Sequence, residues 1–290
     1  MVFDRSSGRI VLVENAPDRA APQASRTWTF DICTNTWMRM DPAVEPIGPI
    51  GGLVYDADSD LVVALGGTTS GWTYDLGTDT WCEDAAPVQV DGRQAVYDPV
   101  TGLVLVRDGG TGSMYSFDAE TGAWADVEQG AVRPPRTDGP MHGQVMTFDP
   151  TIDRLVLFVE GHRCCPTTWL FDPRSHGWAK TDAATPTIAF VWGDLVNGQE
   201  IVLDETAGVV VVVSGGKRHT FDGSTLTWTT EPSGIGRMFG VRLVYDPVNR
   251  RVVLTAGLAP WHGLVRPPRS VLAFEPSDGA WLEIVAPLWV

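Results

Sequence analysis

The sequence predicts an all-β chain, a six-bladed β-propeller of four-stranded antiparallel blades. Three observations predict it. A segment built on aromatic-D-x-x-T-x-x-W recurs six times, with Thr in four copies and Ser175 and Asp278 in its place in the other two, and with the acid always six residues before the tryptophan. A second segment, apolar-D followed by about four turn residues and a β-branched run, also recurs six times and alternates with the first. The alternation runs along the whole chain at a spacing of roughly 40 to 50 residues, and such a period signals stacked supersecondary units.

Each unit reads as four strands, A to D. Phe3-Asp4, Tyr55-Asp56, Tyr97-Asp98, Phe148-Asp149, Leu203-Asp204 and Tyr245-Asp246 close strand A. Runs such as Leu61-Val62-Val63 and Val252-Val253-Leu254 follow as strand B, short apolar segments bounded by turn residues. Gly66-Gly67, Gly109-Gly110 and Gly215-Gly216 end strand B where a side chain would obstruct the backbone. Strand C ends at Phe30-Asp31, Tyr74-Asp75, Phe117-Asp118, Phe171-Asp172, Phe221-Asp222 and Phe274-Glu275. An Asp at that point accepts hydrogen bonds from N–H groups two residues on, and the Thr hydroxyl is expected to assist more weakly. Trp37, Trp81, Trp124, Trp178, Trp228 and Trp281 then open the outer strand D, where a large apolar ring packs between blades. The predicted blades span about 1–41, 52–84, 94–128, 143–182, 199–231 and 241–285, in one domain of residues 1–290.

The diglycine after the second strand, the aromatic-Asp of the third and the Trp six residues later together resemble the kelch repeat, as found in the galactose oxidase central-domain-like superfamily. The resemblance covers nearly the whole chain and implies a ring in which only short, protected sheet edges remain. Blade 1 departs from it in having no diglycine, blades 4 and 6 keep only Gly161 and Gly257, and blade 6 carries Glu275 and Asp278 for Asp and Thr.

At 290 residues and 43% apolar, the chain is long enough to bury a large core. Its net charge of −15 argues against nucleic acid and anionic membrane surfaces, whose phosphates it would repel. The longest β-branched run, Val209 to Val213, is too short to span a bilayer as a helix. The chain as given has no export segment and reads as cytoplasmic; a signal segment upstream of Met1 would instead make it secreted or surface-associated. A monomer without cofactor or metal is expected. Four cysteines make no disulfide framework, and the adjacent Cys164 and Cys165 in His-Arg-Cys-Cys-Pro have three readings: a vicinal disulfide, free thiols or a metal site.

Antiparallel strands put the A–B and C–D turns at one end and the B–C and D–A connections at the other. The turns carry 19 acids and 6 bases, the rest of the chain 17 acids and 15 bases. All long connections fall at the second end, which makes it the expected binding face. Residues just before strand A, namely Arg93, His142, Glu200 and Arg242, are expected nearest the channel. Arg163, Lys217, Arg218, Trp261 and His262 are expected in B–C loops at the rim, and His219 in the same loops. Val-Arg-Pro-Pro-Arg occurs twice here, at 132–136 and 265–269, and reads either as a rigid linker or as a paired guanidinium site for an anion. No nucleophile elbow or phosphate loop is present. The expected function is noncatalytic recognition of a protein or glycan partner through this face. The alternative is a carbohydrate-active enzyme, an acid/base epimerase or lyase, with its site at the channel mouth on the same face.

Overall fold

Six four-stranded antiparallel sheets are arranged as a six-bladed β-propeller, each sheet made of four consecutive strands. The structure is a computed structural model that describes residues 1–15, 24–48, 50–66, 70–86, 94–108, 111–127, 129–136, 144–159, 166–186, 200–214, 216–235, 239–257, 270–275 and 280–284. Two compact units divide the chain, the first holding sheets 1 to 3 and the second sheets 4 to 6. Sheet 1 contains β1 (Val2–Asp4), β2 (Arg9–Glu14), β3 (Arg26–Asp31) and β4 (Thr36–Arg39). Sheet 2 contains β5 (Ile50–Asp56), β6 (Leu61–Gly66), β7 (Ser70–Asp75) and β8 (Thr80–Ala85), and sheet 3 β9 (Ala95–Asp98), β10 (Leu103–Arg107), β11 (Met114–Asp118) and β12 (Ala123–Val127). In the second unit, sheet 4 contains β13 (Gln144–Asp149), β14 (Arg154–Val159), β15 (Thr167–Asp172) and β16 (Gly177–Lys180). Sheet 5 contains β17 (Glu200–Asp204), β18 (Val209–Ser214), β19 (Lys217–Asp222) and β20 (Thr227–Pro232), and sheet 6 β21 (Phe239–Asp246), β22 (Arg251–Gly257), β23 (Ser270–Glu275) and β24 (Ala280–Ile284). Among the described residues no helix is long and apolar enough to cross a membrane.

One turn chemistry closes the eleven described A–B and C–D hairpins. The Oδ1 atom of Asp4 accepts the N–H groups of Ser6 and Ser7 at 3.0 Å each, and that of Asp31 accepts those of Cys33 and Thr34 at 2.9 and 3.0 Å. The hydrogen bonds from Thr34 and Cys33 hold the Asp31 carboxyl below its ordinary pKa. In two C–D turns the threonine hydroxyl also pairs with that of the threonine two residues on, Thr34 with Thr36 at 2.7 Å and Thr225 with Thr227 at 2.8 Å. Four residues after the acid, all eleven described turns place a residue at positive φ. Glycine takes it at Gly8, Gly102, Gly122 and Gly208, whereas Asn35, Asp60, Asp79, Asp153, His176, Leu226 and Arg250 adopt it with a side chain. The A–B acids are buried and the described C–D acids part-exposed, so the same motif sits in two solvent environments.

The six-residue spacing from acid to tryptophan has a structural reason. It sets the aromatic residue before the acid directly opposite the Trp across the C–D hairpin, as in Phe30 with Trp37 and Tyr74 with Trp81. The six ring pairs lie between 4.6 and 5.3 Å apart. Apolar faces then join neighbouring sheets within each unit. Val11 of β2 packs with Val62, Ala64, Trp72 and Trp81 of sheet 2, and Val63 and Leu65 pack with Val104, Val106 and Phe117 of sheet 3. Val156 meets Val210 and Phe221, and Val211 and Val213 meet Leu254 and Phe274. The period-two alternation of each strand supplies both faces.

Candidate functional site

Buried polar groups separate the two ends of the strands. At the turn end they are the six A–B aspartates, already committed to their turns. Toward the opposite end they are varied: Ser25, Thr27, Gln94, Arg107, Gln144, Thr168, Thr181, His219, Ser233 and Thr255, with Thr29, Thr73 and Ser116 buried in the middle of strand C. A buried polar side chain costs free energy unless it is hydrogen-bonded, so each needs a specific partner. The strand ends from which the long connections leave are therefore built from individual polar contacts, and the other end from one repeated turn.

In the first unit these contacts fix how each connection leaves its sheet. Asn15 donates to the Ile50 carbonyl at 2.9 Å and accepts the Ile50 N–H at 2.7 Å, tying the end of β2 to the start of β5. Glu45, in the connection between sheets 1 and 2, accepts the Thr27 N–H at 3.0 Å and the Thr27 hydroxyl at 2.6 Å. Burial raises its pKa despite those two bonds. Because the Thr27 hydroxyl donates to Glu45, its lone pair is free to accept the Trp81 indole N–H at 2.9 Å. Arg107 is 1% exposed and donates to the Gln94 Oε1 at 3.0 Å. It stands nine residues after its turn acid, where the other blades have Val13, Leu65, Phe158, Val213 and Thr255. Burial brings the guanidinium pKa down to about 10, still far above neutrality, so it remains charged.

In the second unit Gln129, before the first Val-Arg-Pro-Pro-Arg, accepts the Trp178 indole N–H at 2.8 Å and donates to the Gly112 carbonyl at 3.1 Å. Arg133 folds back on the carbonyls of Gly130 and Gln129, at 3.0 and 3.1 Å, and the Pro135 carbonyl accepts from Gln144 at 3.0 Å. These bonds are those of a segment that positions β13, the rigid-linker reading of that copy. The second copy, 265–269, lies outside the described residues.

Of the residues expected at the site, Arg93, His142, Arg163, Trp261 and His262 lie outside the described residues, as do Cys164 and Cys165. Glu200, Val213, Arg218 and Glu231 stand in one cross-strand row of sheet 5, which brings Glu200 and Arg218 into register. The Glu200 side chain itself is not among those described. Arg242 stands opposite Thr255 in sheet 6, after a register shift in β21. Its row alternates with the one containing Leu243 and Leu254, so it belongs to the opposite face of the sheet from the cluster that meets sheet 5.

Lys217, Arg218 and His219 are strand residues, where loop positions were expected. Ser214 pairs directly with Lys217, so the diglycine closes a tight hairpin and β19 begins at once. Arg218 forms an ion pair with Glu231 at 2.5 Å and lies 4.1 Å from the Phe274 ring centroid, between sheets 5 and 6. His219 is 2% exposed, with Nδ1 2.9 Å from the Thr230 hydroxyl, in the position filled by Trp28, Trp72, Tyr115 and Trp169 elsewhere. Burial, with a smaller contribution from Lys217, lowers its pKa. Sequence reasoning passed over Gln94, Arg107 and Gln129. Arg107 had a signal, a charge at an otherwise uncharged repeat position, while Gln94 and Gln129 had none. No group of three or more metal-ligating side chains occurs among the described residues.

No family model and no curated protein matches the chain. Solved structures do: 949 chains match. One, from a structure titled as a nidogen/laminin complex, has a TM-score of 0.62 over 96% of this chain and 94% of its own, at 12% identity. At that identity the likeness shows the propeller fold alone.

Proposed function

We propose that the chain is a noncatalytic binding propeller of kelch-like repeats, one domain and monomeric, which recognises a protein or glycan partner through its B–C and D–A face. The observation that carries this reading is the asymmetry of the two ends. Of the described turns, eleven of a single chemistry occupy one end, and the other is where the long connections leave strands that carry a set of individually placed polar groups. A rigid scaffold presenting variable connections is the usual arrangement of a recognition surface. The solved propeller from a nidogen/laminin complex supports the class of function, since it is a propeller found in a protein complex. Arg93, His142, Arg163, Glu200, Arg242, Trp261 and His262 are the proposed contact residues. Arg218 joins them through its partly exposed guanidinium, although most of its side chain is engaged between sheets.

The test is a thermal-shift panel of neutral sugars, uronic acids and sialic acids on the wild type and on Arg93→Ala/His142→Ala. A shift in the wild type that disappears in the double variant is expected for a glycan ligand. A shift retained in full by the double variant overturns the assignment of this face. If no sugar shifts either protein, glycan recognition is wrong and a protein partner remains, to be sought by crosslinking through a photoreactive group installed at position 262.

A further inference from the structure

The tryptophan that opens strand D does more than fill space, and it does so unequally around the molecule. Trp81 of β8 donates its indole N–H to Thr27 of sheet 1 at 2.9 Å, and Trp228 of β20 donates to Thr168 of sheet 4 at 2.8 Å. Thr27 and Thr168 occupy the same place, four residues before the C–D turn acid. Each bond therefore crosses from one blade to the preceding one at equivalent positions. At this place sheet 2 has Gly71 and sheet 5 has Arg218. Glycine has no acceptor, and a guanidinium has five donors and none. The indole nitrogens at the corresponding place in the following blades, Trp124 and Trp281, are buried and have no hydrogen-bond partner among the described residues. Gly71 lies against the Trp124 ring: a Cβ built on it would stand 3.4 Å from Cζ2, ordinary contact, and its φ is not in the left-handed region. Neither sterics nor backbone conformation demands the glycine.

We propose that this interblade bond is a latch, and that the seam between sheets 2 and 3 is an unlatched place where neighbouring blades separate first; in the seam between sheets 5 and 6, which also lacks the bond, Arg218 over the Phe274 ring holds the blades together instead. An unpaired indole N–H in a buried seam favours opening, because water satisfies it only in the open state. The latch position lies in the first residues of strand C, toward the B–C connections. Opening there changes the spacing of the connections on the proposed binding face, while the turn end stays closed. The inference rests on the hydrogen-bond geometry and stands or falls independently of what the face binds.

The experiment is hydrogen exchange of the tryptophan indole N–H groups, read by NMR on the intact chain. In the wild type Trp124 should exchange at least tenfold faster than Trp81 and Trp228. Equal rates overturn the proposal without any substitution. Gly71→Ser supplies the missing acceptor and should slow exchange at Trp124 at least tenfold with Trp81 and Trp228 unchanged, and Gly71→Ala supplies the same Cβ without oxygen. If alanine slows Trp124 as much as serine, packing or chain stiffness is responsible and the latch is wrong. Thr168→Val, nearly isosteric, should raise the exchange of Trp228 alone; no change there also overturns it.

Discussion

Single residues that depart from the repeat carry most of the chain's individual chemistry. Leu226 holds φ at 54° in the C–D turn of sheet 5 with its side chain 39% exposed, so burial returns little for the strained backbone. A left-handed conformation costs an L-residue about 1–2 kcal/mol, and glycine almost nothing. Leu226→Gly should therefore raise the unfolding free energy by about 1 kcal/mol, less than the full difference because glycine also loosens the unfolded chain. Denaturant titration checks this, and an unchanged or lower midpoint refutes it. His219 has the opposite character, since it is buried where four of the other blades have a large aromatic residue. Its pKa is lowered in the folded state, so the unfolded chain takes up the proton first as pH falls. Stability from this group is whole above the ordinary value of 6.5 and declines below it, by at most about 1.4 kcal/mol per pH unit. Melting curves of the wild type and His219→Phe should diverge between pH 7 and pH 5, the wild type losing more. Parallel curves would show that His219 is not the titrating group.

Within one blade the two hairpins use the same acid in different surroundings. Asp98 is fully buried, accepting the Val100 N–H at 3.0 Å and the Thr101 hydroxyl at 2.6 Å. Asp118 accepts the Glu120 and Thr121 N–H groups at 3.0 and 3.1 Å but is partly exposed. Removing a buried acceptor strands its donors at about 1–3 kcal/mol, whereas water replaces an exposed one. Asp98→Ala is accordingly expected to cost at least about 1 kcal/mol more than Asp118→Ala in equilibrium unfolding. Equal losses would mean that the sequence motif, irrespective of burial, sets the energy of the turn. The strands themselves were legible in the sequence because period-two apolar runs and turn acids are local signals. The left-handed fourth turn residue went unread, because His176, Leu226 and Arg250 break the run of Gly, Asn and Asp that fills it in the other described turns.

Across the molecule, charge is distributed by end. The turns hold 19 of the 36 acids and only 6 of the 21 bases, so like charges crowd there at a net charge of −15. Self-repulsion of this kind is screened by salt: the Debye length falls from about 30 Å at 0.01 M to about 8 Å at 0.15 M. The melting temperature should rise over that range of sodium chloride. A fall would mean that ion pairs such as Arg154 with Asp172 and Arg174 with Asp153, at 3.1 and 2.8 Å, outweigh the repulsion.

The sequence by itself determined the number of blades, the order of strands, the two turn classes and the end from which the long connections leave. Each follows from patterns within one repeat, where spacing along the chain dictates which residues face each other across a hairpin. Only the tertiary structure decided what the charged residues near that end do. Lys217, Arg218 and His219 read as loop because a Gly-Gly precedes them, and pairing of Ser214 with Lys217 makes them strand. Arg218 proves to be engaged with Glu231 and Phe274, and Trp81 and Trp228 prove to be bonded to Thr27 and Thr168 where Trp124 and Trp281 are not. These contacts join residues 13 to 60 positions apart. Contacts between sheets depend on how whole blades pack, and the pattern that the blades share carries no record of which partner stands opposite.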